Sequence, residues 1–465
     1  MKQTTIRAEL EDYLKRKGTT INQFAVMAGV NSGTISNIIN GNRPIAMQQL
    51  DRITDGMGLP QGNFYDLYVD ECFIHSNPNW RRIRPFLYRC TELNKLECIR
   101  RVAGMMMENL SYSTVLFDTA EAFFKQGKNA AAVLLYESVA ESEKYQHSER
   151  LALCQYRLFT LALGDDQDAN LRASVQFEGY VDRLDEVDQL DALKALANIY
   201  ISLRRWEKVD RYAKGMGRKA TIQYTNRYGQ VKKDKFQKEP AMPLFSYILY
   251  SHVLCSSVCD ERGDYVQALH YVSLYSEMSW VKEDTQEAQK LMKQCKGWAK
   301  ANTYLYRLLM GDIEVLPEYV TYIEQQEEEI LPALFKIIQA ANRYQFNVDD
   351  VLLRFEKGIS SYRDLEGEVG TYNRQVIADR YAHFMAEVAS YYFSRKKYDM
   401  GTSCILESLL SSVKIYSESC VIRCVGLFEQ FRHAISLEAQ KEYQNLISEV
   451  RKHYEKKNGF VIGNV

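Results

Sequence analysis

The sequence predicts an all-α protein, with a five-helix bundle at the N-terminus and a long array of helical hairpins behind it. Three observations predict this. Apolar residues recur at three- and four-residue spacing along most of the chain. Only eight prolines interrupt 465 residues, and glycine-rich runs are scarce. One frame of aromatic, glycine and small residues also returns four times between positions 121 and 408.

The first helix covers Ile6 to Lys17, with Ile6, Leu10 and Leu14 at four-residue spacing, and Gly18 ends it. Thr20 stands three residues before Gln23, a capping-box spacing that starts a second helix, Ile21 to Ala28. Gly29 can take the left-handed conformation that a tight interhelical turn requires. Asn31 or Ser32 caps a third helix that runs to about Asn40, and Gly41 closes it. Leu50, Ile53 and Met57 outline a fourth helix, and Phe64, Leu67 and Val69 a fifth. This first domain is expected over residues 1–70, with Phe24, Ala25, Val30, Ile35 and Ile38 in its small core.

A helix, a glycine turn and a second short helix make a helix-turn-helix pattern. The stretch from about Thr20 to Pro60 resembles the Xre/lambda-repressor-type helix-turn-helix family. Ala25, Gly29, Val30, Thr34, Ile35, Ser36, Gly41, Arg43 and Pro44 stand where that family's pattern expects its residues. On the third helix Asn31, Ser32, Gly33, Thr34, Asn37 and Asn40 point away from the apolar core. Short amides and hydroxyls can bond base edges or phosphates, and asparagine can pair bidentately with adenine. The same residue types also cap helices and make turns, so each has a structural alternative. Gln23, Ser36 and Arg43 complete the candidate DNA-binding set.

Charge argues for a pair of such domains. From Met1 to Asp70 seven basic residues (2, 7, 15, 16, 17, 43, 52) face seven acidic ones (9, 11, 12, 51, 55, 66, 70), and the whole chain carries −1. Phosphate contacts supply much of the affinity for DNA, so one neutral domain binds poorly. Lys15, Arg16, Lys17 and Arg43 can form a local basic rim. A homodimer on a palindromic double-stranded operator, with half-sites about one helical turn apart, supplies the missing grip.

Residues 71–110 read as a linker and the first helices of the array. "HSNPNWRRIRPF" contains an Asn77-Pro78 turn signal, and Arg81, Arg82 and Arg84 face DNA backbone, a partner subunit or solvent. The hairpin array itself is expected over 111–456. Its copies are "EAFFKQGKNAAAVLLYESV" (Glu121–Val139), "NIYISLRRWEKVDRYAKGM" (Asn198–Met216), "SVCDERGDYVQALHYVSLY" (Ser257–Tyr275) and "SYYFSRKKYDMGTSCILES" (Ser390–Ser408), with a weaker one around Gly311. "RLALCQYRLFTLAL" and "NLRASVQFEGYVDRL" suggest a further hairpin. In each copy aromatics fill the groove to the next hairpin, and a small residue (Ala132, Ala268, Gly401) admits a close helix crossing. Most of the 32 tyrosines then serve packing. Gly217–Pro240 breaks the frame as an extended loop or a long helix start, "IEQQEEEI" (Ile323–Ile330) reads as a solvated helical face, and 457–465 as a frayed tail or short cap.

The hairpin frame resembles tetratricopeptide repeats, whose period is about 34 residues, and which stack into a right-handed solenoid with a concave face. Joined to an Xre-like domain, the array is similar to the RRNPP family of peptide-sensing regulators (the PlcR, NprR and Rgg types) and to the arbitrium-type receptors of phages. That resemblance implies a quorum-sensing-type regulator whose repeats bind a short signalling peptide, often through asparagines on the first helix of each repeat. An amide side chain can satisfy both an N–H and a C=O of an extended peptide. The candidate peptide-binding residues are Lys194, Asn198 and Ser202, spaced by four along one face, with Tyr250, Asn302 and Arg307 further along. Arg307 or Lys194 could take a peptide carboxylate. Peptide binding is expected to change the spacing of two DNA domains in the dimer, and a tenfold change needs only about 1.4 kcal/mol. The alternative is a regulator or scaffold whose repeats bind a protein, such as a response regulator, without a peptide.

No enzyme is expected: phosphate-binding GxxxxGK[ST], GxSxG and HExxH patterns are missing, and the seven histidines are isolated in sequence. The ten cysteines lack a CxxC and read as buried reduced thiols, with neither metal nor cofactor. The opening lacks a signal-peptide core and no apolar run reaches about 18 residues, so a cytoplasmic protein without membrane contact is expected.

Overall fold

The structure is a computed structural model that describes residues 5–73, 79–229, 238–326, 329–363, 374–415 and 417–457. Among the described residues every regular element is helical, and no helix is long and apolar enough to cross a membrane. The chain divides into two compact units, Met1–Ala162 with Gly179–Leu184, and Leu163–Glu178 with Asp185–Val465.

The first unit holds α1 (Ile6–Lys17), α2 (Ile21–Ala28), α3 (Ser32–Ile39), α4 (Met47–Gly56), α5 (Tyr65–Glu71), α6 (Trp80–Glu92), α7 (Leu96–Met106), α8 (Ser113–Lys125), α9 (Asn129–Ser142) and α10 (Glu149–Ala162). Local chemistry sets the ends of the early helices. The Thr20 hydroxyl accepts from the Gln23 N–H at 3.3 Å while the Gln23 side chain accepts from the Thr20 N–H at 2.9 Å, closing the capping box. Gly18 and Gly29 end α1 and α2 in the left-handed conformation, at φ 60° and 61°. α2 and α4 approach closely: a Cβ added at Gly56 would stand 2.8 Å from that of Ala28.

No break occurs at residue 70 or 110. One apolar core runs from Ile6 to Cys154. Phe86 of α6 packs edge-on against Tyr65 and Tyr68 of α5. Arg89 reaches Asp51 at 3.0 Å and Arg101 reaches Asp70 at 2.8 Å. The five N-terminal helices thus share their core with the segment read as a linker and the first helices of the array.

The second unit holds α11 (Gln167–Phe177), α12 (Glu186–Ser202), α13 (Trp206–Tyr228), α14 (Leu244–Glu261), α15 (Tyr265–Ser276), α16 (Gln286–Leu309), α17 (Leu316–Ile323), α18 (Ile330–Tyr344), α19 (Asp349–Arg354), α20 (Glu356–Arg363), α21 (Arg374–Ser394), α22 (Tyr398–Ile415), α23 (Glu418–Phe431) and α24 (Leu437–Lys457). From α12 to α16, and again from α21 to α23, each helix packs on the next in sequence. The large side chains at these contacts are aromatic: Tyr200, Tyr247, Tyr275, Tyr306 and Tyr391 are all buried.

One turn recurs through both units. A residue in the left-handed region ends the first helix, and the next N–H bonds the carbonyl five positions back. The left-handed residues are Asn94, Gly127, Arg204, Gly263, Gly311 and Lys396. The closing bonds include Lys128 to Phe123 at 2.9 Å, Arg205 to Tyr200 at 2.8 Å and Lys397 to Tyr392 at 2.9 Å. All five segments that share the sequence frame contain this turn, and α6–α7 adds another, with Lys95 bonded to Cys90 at 2.8 Å. Five residues after the turn, Ala132, Val209, Ala268 and Gly401 are buried. A Cβ at Gly401 would stand 2.6 Å from the Phe393 ring, so this position admits only glycine without repacking.

Two expectations are corrected, those for Ile323–Ile330 and for the further hairpin. Gly217–Pro240 opens as helix: α13 continues unbroken to Tyr228, because Ala220 and Tyr224 still reach the core, while 230–237 lie outside the described residues. Ile323–Ile330 is not one helical face, since α17 ends at Ile323 and α18 starts at Ile330; 327–328 lie outside the described residues. The pair read as one further hairpin, α10 and α11, is divided between the two units. At the C-terminus α24 runs through Lys457, and the tail beyond it lies outside the described residues. The cysteines are unpaired thiols, nine of them buried and Cys404 half-buried.

Carboxylates tie successive helices together. Glu121 of α8 accepts from Tyr136 at 2.6 Å and from Arg157 at 2.8 and 3.1 Å. Glu178 accepts from Tyr200 at 3.2 Å, from Tyr212, and from Lys208 at 2.8 and 2.9 Å. For both, burial pushes the carboxyl pKa up, but the hydrogen bonds outweigh it, and the result lies below the ordinary value. A depressed folded-state pKa gives stability that is present above the unfolded value and lost as pH falls through the folded one. Glu121→Gln is therefore expected to cost about 1–3 kcal/mol at pH 7. In urea titrations that cost should shrink as pH drops below about 4.3, and a cost independent of pH would show that the charge is irrelevant.

Candidate functional site

The first candidate surface is α3 with the turns on either side. Ile35 and Ile38 are fully buried and fix which side of this short helix faces inward. Opposite them Asn31, Gly33, Asn37 and Asn40 are exposed, while Ser32, Thr34 and Ser36 are half-buried. Part of this polar set serves the fold. The Asn31 carbonyl oxygen caps α3 by accepting from the Gly33 N–H at 2.9 Å, and Gln23 completes the cap of α2. Asn40 donates to Ser36 at 3.4 Å. Asn37 and Arg43 are exposed and are brought together by the backbone. The Asn37 carbonyl accepts from the Asn42 N–H at 2.9 Å and the Arg43 N–H at 3.2 Å, which holds Arg43 beside the end of α3.

Two of the basic residues counted in the sequence have structural work. Arg7 pairs with the buried Glu71 at 2.7 Å, and Arg52 donates to the Gly29 carbonyl at 3.0 Å, tying α4 to the α2–α3 turn. Lys15, Arg16, Lys17 and Arg43 are exposed. Sequence reasoning missed Val26 and Met27 on α2, which are 84% and 59% exposed. Their apolar type gives no hint of exposure.

The second candidate surface lies on α12 and α14. Three of the six residues singled out for peptide contact meet there. The Tyr250 hydroxyl donates to the Asn198 amide oxygen at 2.7 Å, and the Lys194 ammonium lies 5.9 Å from the centre of the Tyr250 ring. Lys194 also approaches the Met242 thioether at 3.0 Å. Burial pushes the Lys194 pKa down, against the opposing pull of Asp191. The chain matches no known protein-family model and no curated protein.

The remaining three residues stand apart from this cluster. The Ser202 hydroxyl turns back to the Ile199 carbonyl at 2.8 Å and contacts Gln167 at 3.4 Å. Asn302 donates to the Tyr275 hydroxyl at 2.8 Å, a link between α16 and α15. Arg307 already holds a carboxylate: Asp312 accepts from its Nε at 2.9 Å and its Nη2 at 2.6 Å. A peptide carboxylate would have to displace this five-residue loop contact, which makes Lys194 the better anion contact of the two.

The Asn198 amide accepts one bond from Tyr250 and by its chemistry keeps two N–H donors. With the ammonium of Lys194 one turn away, the cluster presents donors to carbonyl or carboxylate oxygens. Asp191 lies one turn earlier, accepting from the Tyr247 hydroxyl. Sequence reasoning missed Asp191 and Tyr247. For Asp191 the signal was the three-residue spacing Asp185, Asp188, Asp191 and Lys194 along the start of α12.

Proposed function

We propose that this chain is a DNA-binding transcriptional regulator whose helical hairpins form a tetratricopeptide-like, right-handed solenoid and bind a short extended peptide. In this reading α2, the Gly29 turn and α3 are an Xre-type helix-turn-helix, and α3 enters the major groove of a palindromic operator. The protein acts in the cytoplasm as a homodimer, and peptide at α12–α14 changes the spacing of its two DNA-reading helices. The observation that carries the reading is the geometry of α3, where Ile35 and Ile38 are fully buried while Asn37 and Arg43 project outward. The α12–α14 cluster of Lys194, Asn198 and Tyr250 supports the peptide half, since it offers the donors that an extended backbone needs.

The test uses duplexes selected from a random pool by the full-length chain, followed by mobility shifts across a salt series. Asn37→Ala is expected to cost about 1–3 kcal/mol and to relax preference at one base position per half-site. Arg43→Ala is expected to weaken all duplexes alike and to lower the salt slope by about one. Unchanged thermal midpoints separate these effects from unfolding. Failure to select any duplex, or wild-type binding by both variants, overturns the DNA reading.

The engagement of Arg7 and Arg52 inside the fold favours a second reading, in which phosphate grip is too weak and the hairpins hold a protein partner instead. Recovery of a protein that binds with Asn37→Ala and Arg43→Ala as well as with wild type would support it.

A further inference from the structure

Residues Lys238–Pro243, which lead into α14, lie without helix or strand against the first three turns of α12 and its N-cap. Their contacts advance in step with the helix. Lys238 pairs with Asp185 at 2.6 Å and with Asp188. The Ala241 N–H donates to Asp191 at 3.3 Å, and the Met242 N–H donates to the Tyr247 hydroxyl, also at 3.3 Å. Met242 sulfur then meets Lys194 at 3.0 Å. One row of side chains at three-residue spacing, 185, 188, 191 and 194, is thus read by a non-helical strap of the same chain that bends at Ala241 and Met242. Asn198 with Tyr250 continues that row just beyond the point where the strap turns into α14.

These contacts have the form of peptide recognition. Two consecutive backbone N–H groups go to side chains instead of to a helix or sheet, one cation sits on a carboxylate pair, and one apolar side chain packs at the next step. Pro240 and Pro243 flank the two bonded amides, and the chain bends between them at Ala241 and Met242 before α14 begins. A linker needing only to span α13 and α14 has no use for a matched series of side-chain partners.

We propose that Lys238–Met242 is a resident occupant of the peptide site, an internal stand-in that an incoming peptide displaces. This rests on the peptide-receptor reading above and deepens it by naming the ligand chemistry. The ligand is a short peptide with a basic residue for Asp185 and Asp188, followed four positions later by an apolar residue beside Lys194. Because the strap is tethered, it competes at high effective concentration, and the apparent affinity for peptide falls by the fraction of molecules whose site is open. The device sets a threshold: weak or mismatched peptides fail to displace the strap.

The probe is a fluorescein-labelled synthetic hexapeptide, Lys-Glu-Pro-Ala-Met-Pro, titrated into full-length protein by anisotropy. The double variant Lys238→Ala/Met242→Ala, which weakens the strap, is expected to bind it at least tenfold more tightly than wild type. Adding Asp188→Asn should remove most of that gain, and a probe with glutamate in place of its lysine should not bind. Equal affinity for wild type and the double variant, or no binding by a folded double variant, overturns the proposal. Where the double variant does not fold, hydrogen exchange in the wild type decides. Saturating probe should speed exchange of the Ala241 and Met242 amides at least fivefold, and unchanged exchange overturns the proposal. No DNA is present, so a failure here is distinct from a failure of operator binding. A chain that responds to another peptide while holding the hexapeptide equally in both forms sinks the strap alone.

Discussion

Phe86→Ala is expected to lower the stability of the first unit by about 3–5 kcal/mol. Phe86 is fully buried and sits edge-on to two tyrosines of α5, with ring centroids 5.2 Å from Tyr65 and 5.0 Å from Tyr68. Each tyrosine is fixed at its far end. Tyr65 donates to Asp51 of α4 at 2.8 Å, and Asp51 also accepts from Arg89 of α6. Tyr68 donates to the Ile45 carbonyl just ahead of α4 at 2.7 Å. Removing the Phe86 ring leaves a cavity among groups that cannot collapse without breaking these bonds, so the cost falls at the upper end of ordinary core truncations. Against a typical domain stability of about 5–15 kcal/mol, that is a large share. Phe86→Leu keeps most of the volume and should cost less. Urea unfolding followed at α5–α6 would test this. A change within about 0.5 kcal/mol, the usual range of surface substitutions, would mean that the N-terminal helices stand without α6.

That result bears on how the sequence conceals the extent of the first unit. Helices α1 to α3 were legible from their own caps and glycine stops, Thr20 with Gln23, Gly18, Gly29 and Gly41, and α4 and α5 from their apolar spacing. Their continuation into α6 was not, because Phe86, Arg89 and Arg101 find their partners far along the chain, and periodicity reports only near neighbours. The hairpin turns divide the same way. Gly127, Gly263 and Gly311 announce a left-handed residue, whereas Asn94, Arg204 and Lys396 adopt the same conformation with a side chain in place. That conformation costs roughly 1–2 kcal/mol for a residue other than glycine, a cost that the packing of the two helices must offset. Glycine alone therefore undercounts the hairpins, and the α6–α7 turn at Asn94 carries no such signal.

The candidate sites follow the same rule. Lys194 and Asn198 were legible from four-residue spacing on one helix. Asp191 and the strap were not, because a non-helical segment has no periodicity and its partners are 50 or so positions away. The partner of Arg307 is local: the carboxylate it holds, Asp312, follows only five residues later across the Gly311 turn.

The ion pair between α1 and α5 gives the second large effect. Arg7 Nη2 meets Glu71 at 2.7 Å, with the two side chains 16% and 5% exposed. Arg7→Met removes the cation facing a carboxylate that water barely reaches, and breaking such a pair from one side costs about 3–5 kcal/mol. Replacing both partners by apolar residues is a different perturbation, because no charge is left buried. Arg7→Met/Glu71→Leu should therefore be at least about 2 kcal/mol more stable than Arg7→Met alone, and chemical denaturation of the variants tests the difference. If the double variant is no better than the single, Glu71 is not the charge that Arg7 neutralises. The position of Arg7 adds a functional consequence. A Cβ added at Gly41 would stand 3.3 Å from Arg7 Nη1, so the guanidinium packs against the turn that ends α3 and leads to Arg43. If Arg7 serves only to hold that turn, the double variant should select the same duplexes as wild type with an unchanged salt slope. A slope reduced by about one would instead assign Arg7 a phosphate contact.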